Sequence, residues 1–241
     1  MILLEKGRYR ARETDDPADI AAAQILRARC FEMDIAADRD AFDEKSIHIL
    51  LEDTSDGALV CCFRLLPLLA RDLPTSYAAQ FYELSALAAY DGLMMEVGRF
   101  CVTPVRTDPD ILRLAWAAMT EYVDGHGVGM LFGCSSFAGI ETAQYLDAFA
   151  VLQARHLAPK RWLPQIKAPD VFRFAAKLRR KPDLKQAMLR MPPLLRSYLM
   201  MGGWVSDHAV VDHQMNTLHV FTGIEIGAIP DARKRLLRAL I

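Results

Sequence analysis

A charged pair inside an apolar stretch is the sequence feature that most restricts how this chain can fold. Glu96 and Arg99 lie within Leu93–Val102, a run that is otherwise almost entirely apolar and that predicts a buried strand. Burying a charge is unfavourable unless it is paired or hydrogen-bonded. Residues three apart in a regular strand point to opposite faces, so we predict that Glu96 and Arg99 have separate partners. Such a strand indicates either a salt-bridge network or an active site.

The apolar periodicity of the rest of the chain predicts a mixture of helices and strands. Strands are predicted over residues 7–11, 46–52, 58–66, 93–102, 130–134, 205–211 and 218–226, and helices over 17–31, 76–89, 110–124, 139–156, 184–191, 194–201 and 230–241. Asp16 is predicted to cap the first helix, and the turn Asp53–Gly57 predicts a hairpin. This order predicts an α/β or α+β domain with a mixed central sheet flanked by helices.

Charge is distributed unevenly, although the 29 cationic and 30 acidic residues nearly cancel. Residues 1–154 carry 13 Lys and Arg against 24 Asp and Glu, a net charge of −11, whereas residues 155–196 carry 12 against 2, a net charge of +10. We predict a core over 1–154, a basic, Pro-interrupted helical segment over 155–201, and a strand pair and helix over 202–241 that complete the same domain. The basic segment favours an anionic partner, unless it only neutralises the acidic core.

The sequence shows no signal for export or for crossing a membrane. Its first residues contain no apolar signal-peptide core, and no uncharged apolar run has the length of a transmembrane helix. The five cysteines have no C-x-x-C spacing, which favours reduced thiols in a reducing compartment. We therefore predict a cytoplasmic protein, which at most attaches peripherally to the inner face of the cytoplasmic membrane.

The sequence disfavours three other kinds of site. His208, His213 and His219 are spaced five and six residues apart, which matches no metal-ligand motif, so we predict no metal. Ser135 and Ser136 have no neighbouring histidine, which disfavours a covalent nucleophile. The basic segment lacks the interleaved aromatic residues of a nucleic-acid-binding surface, so we predict no nucleic-acid partner.

Five short patterns occur in a fixed order along the chain. They are Arg27-x-x-x-Phe31, Asp40-x-Phe42-Asp43, Arg64-Leu65-Leu66-Pro67, Glu96-x-Gly98-Arg99-Phe100-x-Val102 and Phe132-Gly133-Cys134-Ser135-Ser136-Phe137. Together they resemble the acyl-homoserine-lactone synthases and, more closely, the bacterial ornithine N-acyltransferases of aminolipid synthesis, of which a close relative acylates glutamine. The resemblance covers residues 7–225 and implies a GNAT-like acyl-CoA N-acyltransferase fold. Asp34–Asp38 stands where the lactone synthases carry a Trp, which weakens that alternative.

The resemblance implies an enzyme without a cofactor that takes a 3-hydroxyacyl chain as a thioester of acyl carrier protein. The acceptor is the α-amine of ornithine, which gives a lyso-ornithine lipid, or of glutamine. The GNAT pyrophosphate loop, Q/R-x-x-G-x-G/A, is replaced here by Val105–Asp110. A CoA pyrophosphate would therefore lack its glycine-lined nest, which favours delivery by a carrier protein. Acidic carrier protein and anionic membrane lipid are both suitable partners for the basic segment.

This reaction gives the charged strand a chemical role. The α-ammonium of an amino acid must lose a proton before its nitrogen attacks a thioester, and Glu96 is the predicted base. The alternative is that Glu96 only pairs with Arg27 or Arg64. Arg99, the second residue of the predicted catalytic pair, is expected to organise nearby acidic residues rather than to react.

Two further groups of residues complete the predicted site. The substrate-binding group is Arg27, Asp40, Phe42, Asp43 and Arg64, and the acyl- and pantetheine-binding group, implied by the resemblance, is Phe100, Cys101, Val102, Cys134 and Ser135. Asp40 and Asp43 have two open roles, as partners of Arg99 or as contacts of an ornithine side chain. Backbone amides of residues 100–102 are expected to polarise the thioester carbonyl. A lactone synthase, which also needs S-adenosylmethionine, and a non-catalytic membrane-binding module stay as alternatives.

Overall fold

The computed structural model of the chain describes residues 1–106 and 108–239. The strands are β1 (Ile2–Lys6), β2 (Tyr9–Thr14), β3 (Ile47–Asp53), β4 (Ala58–Leu68), β5 (Tyr82–Glu83), β6 (Met94–Val102), β7 (Met130–Ala138), β8 (Gln165–Ile166), β9 (Val171–Phe172), β10 (Trp204–Val205), β11 (Ala209–Asp212) and β12 (Thr217–Glu225). The α-helices are α1 (Pro17–Cys30), α2 (Pro109–His126), α3 (Leu146–Arg155), α4 (Phe174–Lys177), α5 (Leu184–Arg190), α6 (Pro193–Met200) and α7 (Asp231–Arg238). Short 3-10 helices cover Asp43–Lys45, Ala70–Thr75, Ala78–Gln80, Ser85–Ala89, Thr142–Tyr145, Lys160–Trp162 and Ile226–Ala228.

These elements form two compact units. The first unit comprises Met1–Pro67, Met95–Val128 and the chain from Asp231 onward. Its strands follow the order β1-β2-β3-β4-β6, and each pair from β1 to β4 is antiparallel. Ala23 and Leu26 of α1 pack in one apolar cluster with Leu50, Cys62 and Cys101. This cluster holds α1 against β3, β4 and β6, the elements that carry most of the predicted site.

Helix α1 begins as the sequence predicts, and α2 has a cap of the same kind. Asp16 caps α1 by accepting hydrogen bonds from the backbone N–H groups of Ala18 and Asp19, and Pro17 occupies the first helical position. Asp108 caps α2 in the same way, and Gly127 ends that helix with a φ of 64°, in the left-handed region that favours glycine. Within residues 1–106 and 108–239, no helix combines the length and the apolar character needed to cross a membrane.

The second unit comprises Leu68–Met94 and Gly129–Pro230. Its strands follow the order β7-β12-β11-β9 in antiparallel pairs, β10 pairs with β12, and β5 pairs with β8. An aromatic core joins α3 to these strands: Phe149 stacks on Phe174 and lies close to Phe137. The unit contains the whole basic segment. The three-part division at residues 154 and 201 rests on charge and stays a prediction.

The structure confirms most predicted elements, corrects two helices, and divides the strand predicted over 205–211 into β10 and β11. The helix predicted over 76–89 is wrong, because the chain there forms 3-10 turns and the short strand β5. The helix predicted over 139–156 begins only at Leu146, after a 3-10 turn at Thr142–Tyr145. The strand predicted over 130–134 continues to Ala138, since β12 pairs with its full length. Residues 240 and 241, in the predicted last helix, lie outside the described residues.

Candidate active site

Strand β6 carries the charged pair in the first unit. Glu96 is 4% exposed, so its carboxyl group is largely removed from water. Arg99 has a φ of 51°, in the left-handed region that non-glycine residues rarely adopt. The chain therefore departs from a regular strand at Arg99, and the opposite orientation of Glu96 and Arg99 stays a prediction. A left-handed arginine is unfavourable by about 1–3 kcal/mol and persists only where its surroundings hold it.

Three arginines and three aspartates form a buried network, the arginine–aspartate cluster: Arg27, Arg64, Arg99, Asp38, Asp40 and Asp43. Arg27 donates from both Nη atoms to the two Asp43 oxygens, at 2.7 and 2.9 Å. Arg64 Nη1 donates to Asp40 Oδ1 at 2.5 Å and to Asp43 Oδ1 at 2.8 Å. Arg99 Nε donates to Asp38 Oδ2 at 2.6 Å, and its Nη2 lies 3.1 Å from Asp40 Oδ2. The cluster therefore joins α1, β4 and β6 through one acidic loop.

The electrostatics of the cluster keep Asp40 and Asp43 charged. Burial alone would raise the pKa of Asp43, but the hydrogen bonds and charges of Arg27 and Arg64 outweigh it and hold that pKa well below its usual range. The pKa of Asp40 is also lowered. Burial alone would raise it, but the hydrogen bond and charge of Arg64 and the charge of Arg99 outweigh the effect of burial. Three positive charges thus face three negative ones.

The oxygens of Asp40 and Asp43 already accept several hydrogen bonds. Beyond its two arginines, Asp43 accepts from Gln24 Nε2 at 3.0 Å and from the Asp40 backbone N–H at 3.3 Å. Asp40 accepts from Arg64 and from the Phe42 backbone N–H at 2.9 Å. This geometry favours the role of organising the loop with the arginines over direct contact with an ornithine side chain.

The sequence reasoning missed three members of this region. The Asp38 carboxylate binds Arg99, for which only Asp40 and Asp43 were predicted as partners. The Asp38 backbone carbonyl oxygen also accepts a hydrogen bond from Arg27 Nη2. Gln24 and His48 both bind Asp43, the latter by donating from Nε2 to its carbonyl oxygen at 2.9 Å. Asp38 lies in the same acidic loop as Asp40, which was the available clue. Gln24 had no such clue, because its partner Asp43 lies 19 residues away, and His48, five residues from Asp43, belongs to none of the patterns.

Three of the residues predicted to bind the acyl chain and the pantetheine belong to the first unit, and they lie along the end of β6. Phe100 stacks on Phe63, with ring centroids 5.2 Å apart. Cys101 is buried with its Sγ 3.4 Å from that of Cys62, and the Val102 carbonyl oxygen lies 3.4 Å from Cys30 Sγ. Phe42 lies apart from them, on the acidic loop, with Lys45 Nζ 6.0 Å from its ring centroid.

An apolar cavity of about 370 Å³ opens in the first unit beside the end of β6. It is lined by Ala22, Ile25, Leu26, Arg29, Ala58, Leu59, Thr103, Pro104 and Val105. The lining is almost entirely apolar apart from Arg29. A cavity of this size and character can hold an apolar chain.

Cys134 and Ser135 lie on β7, in the second unit. Cys134 is partly buried and pairs in register with Phe221 of β12. Ser135 is buried, and its hydroxyl accepts a hydrogen bond from the Thr222 hydroxyl at 2.9 Å. The serine is thus part of the hydrogen bonding between two strands. Its predicted contact with the acyl donor stays a prediction.

The start of α2 falls in Val105–Asp110, the stretch that the sequence resemblance places at the GNAT pyrophosphate loop. The Asp108 carboxylate accepts from the Asp110 backbone N–H at 2.9 Å and from the Tyr9 hydroxyl at 2.8 Å. Pro109 has no N–H to offer an anion. Arg106 binds the carboxylates of Asp53 and Asp56. The helix N-terminus is therefore already occupied by a negative charge.

Two of the histidines considered from the sequence are buried in the second unit. The Tyr82 hydroxyl donates to the His219 carbonyl oxygen at 2.9 Å and lies 3.1 Å from its Nδ1. His208 Nδ1 lies 2.7 Å from Asp207 Oδ1. Across residues 1–106 and 108–239, no three His, Cys, Asp or Glu side chains are placed to hold a metal ion. Burial, aided by His208, lowers the pKa of His219 to about 3.

This buried histidine predicts a pH-dependent stability. The folded pKa of His219 lies below the unfolded value of about 6.5, so its contribution is fully present above pH 6.5 and is lost as the pH falls towards 3. We expect the free energy of unfolding to fall more steeply below pH 6.5 in the natural protein than in His219→Gln, by up to about 1.4 kcal/mol per pH unit. Urea unfolding at pH 7, 6 and 5 measures it. His213→Gln, which changes an exposed histidine, is the control and should follow the natural protein. If the free energy of unfolding of His219→Gln falls with pH as steeply as that of the natural protein, His219 is not the group responsible.

Comparison with known proteins agrees with this architecture. Residues 26–117 match the family model described as an acetyltransferase (GNAT) domain. The chain is 28% identical over 243 residues to the L-ornithine N(alpha)-acyltransferase of Rhodobacter capsulatus, covering 94% of this chain and 93% of that protein. It is 29% identical to the protein of the same name from Rhizobium meliloti, covering 88% of this chain and 78% of the relative.

Two solved structures share the fold. FeeM, an N-acyl amino acid synthase from uncultured soil microbes, matches 97% of this chain and 98% of its own, with a TM-score of 0.51 and 12% identity. BjaI, a CoA-dependent acyl-homoserine lactone synthase solved with SAM and isopentyl-CoA, matches 92% of this chain and 82% of its own, with a TM-score of 0.50 and 13% identity. These structures confirm the predicted fold, and the family model and the relatives of similar sequence confirm the predicted enzyme class. The protein is an acyltransferase with the GNAT fold, homologous to bacterial L-ornithine N(alpha)-acyltransferases.

Proposed function

We propose that the protein transfers a 3-hydroxyacyl chain from acyl carrier protein to the α-amine of ornithine, giving a lyso-ornithine lipid. The observation that carries this proposal is the position of Glu96, a buried carboxyl group on the strand that also carries Arg99 of the arginine–aspartate cluster. The three arginines of the cluster are already matched in charge by its three aspartates. Arg27 and Arg64, the alternative partners predicted for Glu96, each bind two of these aspartates.

Glu96 is the group we assign to the proton transfer. An α-ammonium group has no lone pair, so the acyl chain cannot move until a proton has left the nitrogen. A carboxylate within hydrogen-bond reach, or one water away, takes that proton before the nitrogen attacks the thioester carbonyl. The C–N bond forms, the C–S bond breaks, and the thiol of the carrier's pantetheine leaves with a proton. Arg99 acts as a positioning residue, since its guanidinium ties the strand to Asp38.

Ornithine is proposed as the acceptor because the homologues that match nearly the full chain carry that name. The alternative is glutamine, an amino acid of similar length with an uncharged side chain. The residues of the cluster do not favour one over the other, because Asp40 and Asp43 are engaged by arginines. Acylation assays with ornithine and with glutamine distinguish the two acceptors.

A carrier protein is proposed as the donor because the start of α2 is unsuited to a pyrophosphate. Asp108 places a carboxylate at the helix N-terminus, and Arg106 is bound to Asp53 and Asp56. A CoA pyrophosphate would meet repulsion there rather than free backbone N–H groups. The phosphopantetheine of a carrier protein has one phosphate and arrives with its own protein surface, which the basic segment can attract.

The test supplies the purified protein with 3-hydroxyacyl-carrier protein or the matching 3-hydroxyacyl-CoA, and with ornithine, glutamine, lysine or S-adenosylmethionine. Products are read by mass spectrometry. We expect N-acylornithine from the carrier thioester at a rate at least about tenfold above that from CoA. Acylglutamine as the main product would replace the acceptor, and an acyl-homoserine lactone from S-adenosylmethionine would replace the reaction. No acylation of any acceptor would overturn the proposal and favour a non-catalytic module.

A further inference from the structure

Helix α5 exposes large apolar side chains beside a concentration of positive charge. Leu184, Met188 and Leu189 are 48%, 49% and 72% exposed. Leu184 and Met188 are four apart and therefore share one face of the helix, and Lys185 lies between that face and Leu189. We call Lys181, Leu184, Lys185, Met188 and Leu189 the basic apolar face. Exposed apolar residues grouped in this way mark an interaction surface.

The anchoring of α5 explains why these side chains stay outside the core. Ala187 is fully buried, and Met191, just past the end of the helix, is 3% exposed. Both belong to the aromatic core around Phe149 and Phe174. Asp183 caps the helix by accepting from the backbone N–H groups of residues 185 and 186. The helix is thus held along one edge, and the basic apolar face points away from the core.

The charge around this helix is mostly positive. Residues 173–190 carry one acidic residue, Asp183, and seven exposed cations: Arg173, Lys177, Arg179, Arg180, Lys181, Lys185 and Arg190. Arg180 pairs with Asp147 at 2.8 Å, and the carboxylate of Asp183 is used as the helix cap. The net charge of the segment is therefore strongly positive, and a partner must be anionic.

We propose that the basic apolar face binds an anionic lipid bilayer, its three apolar side chains inserted at the headgroup boundary and its lysines facing the headgroups. A bilayer satisfies both observations together. Apolar side chains enter the outer 5–10 Å or so of a membrane from an amphipathic helix, while lysines extend their apolar stems and keep the charge at the surface. Anionic lipids attract each cation that lies near the surface. An acidic protein would match the cations but would leave the exposed apolar side chain of Leu189 without a contact suited to it.

The test is vesicle binding by the full-length protein without any substrate, so its result is independent of the proposed reaction. Sedimentation with vesicles of phosphatidylglycerol and phosphatidylcholine is compared with phosphatidylcholine alone. We expect binding only to the anionic vesicles, weakened at 500 mM salt. Leu184→Ser/Met188→Ser/Leu189→Ser should lower the partition coefficient at least about tenfold, and Lys181→Gln/Lys185→Gln about tenfold. Ile2→Ser/Lys6→Gln, on the exposed edge of β1, is the matched control and should bind normally.

A single indole reports insertion directly. The native tryptophans are buried, so Leu189→Trp adds an exposed indole whose emission should shift to the blue with anionic vesicles only. Unaltered vesicle binding by the triple variant, or no blue shift, would overturn the proposal. If vesicles do not bind at all and the triple variant loses affinity for acyl carrier protein, the face is a carrier-docking surface and the membrane proposal fails.

Discussion

Replacing Glu96 by Gln should lower kcat for amino-acid acylation by about 10²–10⁴-fold, with a much smaller change in KM. Glutamine keeps the volume of the side chain but cannot accept the proton that the α-ammonium must lose. The loss therefore falls on the chemical step rather than on binding. Release of the carrier thiol, followed continuously at neutral pH, measures the rate, and circular dichroism and urea unfolding establish that the variant is folded.

A matched control separates catalysis from the general loss of a carboxylate. Glu52 lies on β3 of the same unit and binds Arg12 at 2.5 Å, outside the arginine–aspartate cluster. Glu52→Gln should keep turnover within about twofold. Full turnover by a folded Glu96→Gln would remove the base assignment and leave the fold and the enzyme class intact. Partial activity in Glu96→Asp, which retains a carboxylate, would support a direct or water-mediated proton transfer.

Replacing Arg27 by Met should destabilise the fold by about 3–5 kcal/mol. The Arg27 side chain is 1% exposed and faces both Asp38 and Asp43, so its removal takes from each buried carboxylate one of its two arginine partners. Methionine fills much of the same volume, so the effect is electrostatic rather than a cavity. Urea unfolding at pH 7 measures the loss as a lower midpoint with an unchanged slope.

The control for this prediction is an arginine of the same unit whose ion pair is exposed. Arg10 binds Glu5 at 3.0 Å, with side chains 37% and 48% exposed. Arg10→Met should cost less than about 1 kcal/mol, because water screens such a pair. Arg27→Met/Asp43→Leu should recover part of the loss, since it removes a stranded charge. Equal destabilisation by Arg10→Met and Arg27→Met would show that the cluster is not the reason for the effect.

Local features of the sequence were enough to predict most elements of the fold. Asp16, Pro17 and Gly57 act within a few residues of themselves, so their cap, helix start and turn follow from the local chain. The predicted helix over 76–89 failed for the opposite reason. Its apolar residues bury themselves in 3-10 turns and in the β5 pairing with β8, a contact made with residues about 80 positions away.

The candidate site divides in the same way. By itself, the sequence determined that Glu96 and Arg99 lie in a buried strand, and that buried charges there need partners, because burial without pairing is unfavourable wherever it occurs. Only the tertiary structure decided which partners. Asp38 rather than Asp43 binds Arg99, Gln24 and His48 join the cluster, and Arg99 takes a left-handed backbone. Such pairings depend on the docking of α1 and one loop against β6, a long-range arrangement that local spacing does not encode.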